Sequence, residues 1–173
     1  MEIIECTEDR YANEILAIFN HAIVNTTALF DYKPRTPKSM TLWFENKKRG
    51  NYPVVGAVDD DGKLLGFVTY GAFRAWPAYK YTVEHSVYVH HEHRQKGIGE
   101  KLMVNIIEQA VKQEYHVLVG AIESTNESSI KLHNKLGFKS CGTIFQAGYK
   151  FERWLDLSFY QLIFNTPTKP NEA

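Results

Sequence analysis

Cysteine is scarce in this 173-residue chain: Cys6 and Cys141 stand far apart, with no CxxC spacing and no partner set for a zinc site. In a reducing compartment such thiols pack rather than bridge, and neither sits in a recognisable nucleophile setting. Excess charge of one sign is lacking too. Twenty acidic against twenty basic residues give a formal net charge of +0 at pH 7. No global field therefore draws the chain to nucleic acid or an anionic membrane, and any anion site has to be local. No apolar run approaches the roughly 20 residues that span a bilayer, and Met1–Arg10 has neither a basic nor an apolar leader region. These absences point to a cytoplasmic protein.

What is present fits one domain with a substantial core. Alternation in Glu2–Cys6 predicts a short strand, and Thr7 is placed to cap a helix carrying Ile15, Ile18, Phe19, Ala22 and Ile23 at helical spacing. Thr26–Arg35 reads as a loop. A second helix starts at Thr36-Pro37, where proline suits the first helical position, and ends at Gly50 after basic residues. Strands are predicted at Pro53–Asp59 and Leu64–Phe73, joined by a hairpin signal at Asp61-Gly62, and at Thr82–Val89. After a glycine-containing turn come an amphipathic helix to about Gln113, a strand at Val117–Ile122 and a helix from Asn126 to Leu136 closed by Gly137. Two further strands are expected at Lys139–Phe145 and Trp154–Phe164. The domain is read as residues 1–165, with 166–173, polar and bearing two prolines, a disordered tail.

Arg94-Gln95-Lys96-Gly97-Ile98-Gly99 follows a valine-rich strand and opens a helix. Its glycines let backbone approach a ligand, and helix-terminal amides beside Arg94 and Lys96 can hold a pyrophosphate. Two glycines at a helix start can equally be a plain turn. The dinucleotide fingerprint lacks its third glycine, since Leu102 stands there, and no GxxxxGK[ST] run exists, so Rossmann and P-loop binding are set aside.

What remains, Arg/Gln-x-x-Gly-x-Gly/Ala between strand and helix, resembles the pyrophosphate grip of the GNAT acetyltransferases. Thr82-Val-Glu-His-Ser-Val-Tyr-Val89, Asn126–Phe138 and Gly148–Asp156 extend the resemblance to the phosphinothricin acetyltransferase group, over about Ile3 to Phe164. The resemblance implies an α/β (α+β) GNAT fold: a mixed, twisted sheet of about seven strands with about four helices and a splayed parallel pair holding acetyl-CoA. It implies that main-chain groups of Val87, Tyr88 and Val89 pair with pantetheine, and that amides of Gln95, Lys96, Gly97, Ile98, Gly99 and Glu100 hold the pyrophosphate. Asn126 and His133 would meet the cofactor from the following helix, although Ser124-x-x-Glu127 also has capping-box spacing. A homodimer is expected from the likeness alone.

Acyl transfer to an amine needs a base, an oxyanion donor and a route for the leaving thiolate. Glu84, a carboxylate in a mostly uncharged strand, is the candidate base, its basicity raised by burial; without the likeness it would read as part of a solvated face. The Val89 amide is the candidate oxyanion donor, freed by an expected bulge in the strand. His133 lies seven residues after Asn126, on the same helix face and about 10 Å away. It can be an acid to the thiolate, a second base, or a packing histidine that only contacts pantetheine. Direct transfer in a ternary complex is expected.

Phe73–Lys80 mixes aromatic and cationic residues just ahead of Glu84, suiting a small anionic amino acid. Arg74 can grip its carboxylate or phosphinate, with Ala75, Trp76 and Tyr79 as walls and Phe30 and Tyr32 covering the site. Because the resembling group can carry a basic residue where Trp76 stands, the expected preference moves from phosphinothricin toward methionine sulfoximine and methionine sulfone. An ordinary surface hairpin is the plain alternative. His90, His91 and His93 give no expected metal site, for lack of a carboxylate or cysteine at ligand spacing. The rival functions are acetylation of another small amine or of protein N-termini, and a CoA-sensing module without turnover.

Overall fold

The β-branched and alternating segments assemble into one seven-stranded sheet in a computed structural model that describes residues 1–172. Along the chain run β1 (Glu2–Glu5), α1 (Glu8–Asn25), α2 (Pro37–Arg49), β2 (Val54–Val58), β3 (Leu64–Ala72), β4 (Thr82–Val89), α3 (Ile98–Lys112), β5 (Val117–Glu123), α4 (Glu127–Lys135), β6 (Lys139–Lys150) and β7 (Arg153–Ile163). The strand order is β1-β2-β3-β4-β5-β7-β6. Every neighbouring pair is antiparallel except β4 and β5, whose parallel pairing needs the crossover that α3 supplies.

Two cores sandwich the sheet. On one face the apolar stripes of α1 and α2 (Ile15, Phe19, Met40, Phe44) close over Val54, Leu64 and Phe67. On the other, Leu102, Met103 and Ile106 of α3 pack on Val68, Tyr70, Val83 and Leu118. Side chains of β4 divide between them by the two-residue period of a strand. Tyr88 packs against Phe19 and Phe67, while Val83, Val87 and Val89 join the α3 side.

Helix boundaries follow local chemistry. Thr36 caps α2 by accepting from the Ser39 amide at 3.3 Å, with Pro37 in the first turn and Gly50 beyond the end. Thr7 holds the cap position of α1, but its side chain makes no capping hydrogen bond. The cap of α4 is Asn126, whose Oδ1 accepts from the Ser129 amide at 3.2 Å, and not Ser124, which bonds instead to Ser158 at 2.7 Å. Strand β6 runs to Lys150, five residues past its expected end at Phe145, because Phe151 and Glu152 turn the hairpin with φ of 51° and 58°. Such turns normally advertise themselves with Asn-Gly or Gly, so these two residues gave no signal. Residues 166–172 hold no helix or strand, yet Thr166 Oγ1 donates to Tyr115 O and the Asn171 amide donates to the Tyr81 hydroxyl at 3.1 Å.

Lys150 is 5 % exposed, and its ammonium donates to the carbonyls of Ile23, Thr26 and Leu29 at 2.7, 3.0 and 2.6 Å. Three N–H groups thus meet the carbonyls at the C-terminal end of α1 and of the loop after it, where the helix dipole is negative. Removing the charge while keeping the stem leaves three acceptors unpaired. Lys150→Met is expected to lose about 2–4 kcal/mol in urea unfolding, as a lower midpoint with unchanged slope; a variant as stable as the parent would remove this anchoring role.

Candidate active site

The site begins where β4 and β5 part. Their register runs from Thr82–Val117 to His85–Gly120 and stops, although β4 continues to Val89 and β5 to Glu123. His90 N donates to Leu65 O at 2.8 Å and Phe73 N to Thr82 O at 3.4 Å, so even-numbered residues of this stretch direct their peptide groups toward β3. Tyr81 O accepts from His116 N and Val117 N, which turns the odd-numbered residues toward β5. Past His85, the N–H and C=O groups of Val87 and Val89 therefore face a gap with no strand partner. The register of β3 with β4 is unbroken from Ala72–Val83 to Gly66–Val89. The expected bulge is absent; parting of the parallel pair, not a kink within β4, frees the Val89 amide.

Beyond β4 the chain makes a 3-10 turn at His91–His93, then places Gln95 and Gly97 at φ of 62° and 75° before α3 opens at Ile98 without a side-chain cap. The first amides of a helix have no intrahelical partner, and no hydrogen bond to those of Gln95, Lys96 or Gly97 is seen among the described residues. Gln95 and Gly97 border a cavity of about 610 Å³ that Val87, Tyr88, Val89, Arg94, Ile98, Gly99, Glu100 and Asn126 also line. Lys96 is outside it, reaching back to Glu92 O at 3.5 Å. Glu100 joins Lys135 at 2.7 Å, tying α3 to α4 across one wall.

A second cavity of about 280 Å³ continues from the first through Val87, Tyr88, Glu123 and Asn126 and brings in Phe30, Glu84 and His133. Burial raises the Glu84 carboxyl above its ordinary value, and the Arg74 guanidinium only partly offsets it. Of the other expected acceptor residues, Arg74 reaches Glu84 by charge and lies 5.1 Å over the Phe73 ring. Arg74, Ala75, Trp76, Tyr79 and Tyr32 do not line this cavity. Trp76 is 74 % exposed, Tyr79 packs edge-on to Phe73, and the Tyr32 hydroxyl donates to Tyr149 O at 2.8 Å.

His133 is 1 % exposed, with Nδ1 2.7 Å from Ser129 O and Nε2 3.0 Å from His85 Nε2. His85 and Glu123 were not singled out from the sequence. Glu123 borders both cavities; burial works to raise its pKa, but hydrogen bonds from the Thr125 side chain and amide and from Thr27 hold it below the usual carboxylate range. A carboxylate closing an apolar strand, four residues before a helix, was the available signal. At the cofactor end, His90 and His93 are joined by Glu92, a carboxylate missed in the sequence reading, with ligand atoms within 4.8 Å of one another. His90 Nδ1 and Glu92 Oε2 stand 4.0 Å apart, and Glu92 is exposed. A larger hollow of about 840 Å³ lies by β1 and β2, bordered by Lys47 and Tyr52, away from Glu84 and the free amides of β4.

Unpaired strand amides run into an uncapped helix start, with a half-buried carboxylate in the same run of cavity. The chain belongs to the acetyltransferase (GNAT) family, whose model matches residues 18–138. It is 47 % identical over 148 residues, 86 % of each chain, to the L-methionine sulfoximine/L-methionine sulfone acetyltransferase of Pseudomonas aeruginosa. Identity is 34 % over 155 residues, 88 % of this chain and 82 % of the other, to the phosphinothricin N-acetyltransferase of Streptomyces viridochromogenes. An acetyltransferase of Salmonella typhimurium, solved with its cofactor acetyl-CoA, superposes with a TM-score of 0.94 at 37 % identity, covering 99 % of this chain and 98 % of that one. The seven-stranded GNAT fold and an acetyltransferase activity follow.

The raised pKa of Glu84 carries a stability signature. The folded protein holds that proton more tightly than the unfolded chain, so this group's contribution to stability falls as pH rises from the ordinary carboxylate range through the raised folded value. Glutamine has no such dependence. Calorimetry is expected to find Glu84→Gln matching the parent near pH 4 and exceeding it in Tm at pH 8; a gap that opens toward acid instead would mean an ion pair with Arg74 outweighs burial.

Proposed function

We propose that the protein transfers the acetyl group of acetyl-CoA to the α-amino group of a small amino-acid analogue of the methionine sulfoximine, methionine sulfone or phosphinothricin type, with Glu84 as base. The observation that carries this reading is the gap between β4 and β5, where the unpaired groups of Val87 and Val89 lie within the same run of cavity as the Glu84 carboxylate. The residues fit the cosubstrate. Amides of Gln95 to Glu100 suit a pyrophosphate at a helix start, Arg94 adds positive charge beside them, and the β4 edge accepts an extended polar arm as a strand would. The side-chain nitrogen of Asn126 takes no part in its cap and is available to that arm.

Bound acetyl-CoA supplies a thioester carbonyl as the electrophile. Glu84 takes one proton from the substrate ammonium, directly or through a water, and leaves the nitrogen lone pair free to attack. The Val89 N–H donates to the carbonyl oxygen as negative charge gathers there, and needs no reorganisation because it has no other partner. When the carbon–sulfur bond breaks, the nitrogen's second proton is available to the departing thiolate, so the chain need not supply a separate acid. Neither cysteine is in the cleft: Cys6 is buried with its thiol pushed up to about 12, and Cys141 lies in β6. A 280 Å³ acceptor cavity suits a small amino acid better than a peptide. Arg74, whose charge reaches Glu84, would hold the substrate's anionic group, and the greater likeness to the methionine sulfoximine/sulfone enzyme than to the phosphinothricin enzyme favours methionine sulfoximine and sulfone as acceptors. In a cytoplasm exposed to such compounds, the activity would detoxify them.

Thiol release with acetyl-CoA and these three acceptors tests the reading. Methionine sulfoximine and sulfone are expected to be turned over with the higher kcat/KM, rising with pH through the Glu84 titration. Glu84→Gln should lower kcat by about 100-fold or more with little change in acetyl-CoA affinity; no thiol release with any amine would overturn the assignment.

A homodimer is proposed through the β6–β7 ribbon. Strand β6 is the sheet edge, and Ile144, Phe145, Tyr149, Phe151 and Trp154 there are all exposed. An apolar edge of that length calls for cover. Light scattering is expected to give twice the 19.9 kDa chain mass; a monomer at micromolar concentration would remove the proposal.

A further inference from the structure

Two imidazoles meet at the point where β4 and β5 separate. His85 is the last paired residue of β4, opposite Gly120, and His133 comes down on the same spot from α4. Their rings are near-parallel at 17° with centroids 5.0 Å apart, and both are buried, at 6 % and 1 % exposure. Gly120 makes the space. A Cβ there would stand 2.8 Å from His85 Nε2 and 3.0 Å from His133 Nε2, so any side chain on β5 would break the contact.

Hydrogen-bond chemistry fixes where the protons are. Ser129 O can only accept, so His133 Nδ1, 2.7 Å away, carries a hydrogen. In a neutral ring Nε2 then holds a lone pair, and the 3.0 Å contact requires His85 to donate from its own Nε2. That leaves His85 Nδ1 a bare acceptor, buried and without a partner. A second proton on the pair would be a buried cation with no carboxylate facing it. The groups packed against it are Gly120 from β5, Ser129 from α4, Phe138 beyond α4 and Tyr160 from β7, whose ring is 6.3 Å from that of His133. Glu84 and Glu123 line the same 280 Å³ cavity, but Glu84, one residue before His85, projects from the other face of β4, and Glu123 is committed to Thr27 and Thr125.

We propose that His85 is a positioning residue for His133: Ser129 O holds that ring in the Nδ1–H tautomer and the His85 Nε2–H occupies its Nε2 lone pair, so His133 exchanges no proton with the reacting groups. Of the three roles open to His133 from the sequence, this leaves the uncharged contact residue, and it makes Glu84 the one titrating side chain of the transfer. Burial pushes His85 down to about 3 and His133 below the ordinary imidazole value, in the same direction as the geometry. The proposal deepens the acetyltransferase reading, but the tautomers exist whether or not turnover does.

Long-range ¹H–¹⁵N spectra of the full chain, labelled at histidine and assigned with His85→Gln and His133→Asn, test it. In the wild type, His133 is expected as the Nδ1–H and His85 as the Nε2–H tautomer, with neither titrating between about pH 5.5 and 8.5, a window centred near the ordinary imidazole range. Glutamine carries an N–H donor where His85 Nε2 stands, so His85→Gln should keep the His133 signature. His85→Phe removes the donor; His133 should keep its Nδ1–H, which Ser129 O still holds, but its freed Nε2 should change its ¹⁵N shift and take up a proton as pH falls, adding a second limb to the pH profile of kcat. A wild-type His133 that titrates in this window, or that holds its proton on Nε2, overturns the proposal, and so does a phenylalanine variant with unchanged His133 signals. Should that variant not fold, the wild-type and glutamine spectra decide. Silence in the thiol-release assay would sink the acetyl-transfer reading and leave these spectra standing.

Discussion

The parting of β4 from β5 after His85–Gly120 is the constraint on which the rest of the molecule depends. Each strand stays in the sheet through its other neighbour: β4 pairs with β3 as far as Val89, and β5 with β7 as far as Glu123. The gap is therefore a strand edge inside a sheet rather than at its border. Unpaired backbone groups in a protein interior are costly, and an edge left open in this way is stable when water or a ligand completes it. The uncapped start of α3 lies at one end of that edge and Glu84 at the other, so one gap joins a set of free amides to a half-buried carboxylate.

Holding such a gap open takes anchors on both faces. On the α1 side, Lys150 gathers three carbonyls of Ile23–Leu29 and Thr27 bonds Glu123 at 2.9 Å, fixing the loop that carries Phe30 over the acceptor cavity. On the α4 side, the imidazole pair sits over Gly120, and Lys135 reaches Glu100. These contacts join residues as distant as Ile23 and Lys150 in the sequence. Net charge near zero is consistent with this design, because cations are spent locally on carbonyls, carboxylates and the phosphate end instead of building a general field.

That also explains which parts were legible beforehand. Order and type of the elements followed from apolar periodicity, with Thr82–Val89 found to the residue and α2 bounded by Thr36-Pro37 and Gly50, since those signals are local. The glycine turn ahead of α3 was legible because glycine at positive φ and a bare helix start are local as well. Glu84 and Asn126 came from the family resemblance more than from any pattern. His85, Gly120, Glu123 and Lys150 were not seen, for their roles exist only once β4, β5, β7 and α4 have met. The extension of β6 was missed because Phe151 and Glu152 adopt turn conformations usually reserved for glycine or asparagine. The expected bulge failed for a different reason: an unpaired amide was rightly anticipated, but a strand can lose a partner without being deformed itself.

Strand β4 shows how much chemistry a two-residue period can separate. Its even-numbered peptide groups are spent on β3, which keeps the strand in place, and its odd-numbered ones past His85 are free for the cleft. Its even-numbered side chains, Glu84 and Tyr88, turn to the α1 face, while His85, Val87 and Val89 turn to the α3 and α4 face, and the 280 Å³ cavity, lying in the gap, is bordered from both. A carboxylate one position later would lie in the buried histidine site against Phe138, without a cation to meet it. The separation between the half-buried Glu84 carboxylate and the buried imidazoles is thus set by residue parity, and a slip of one residue in the register of β4 would exchange them.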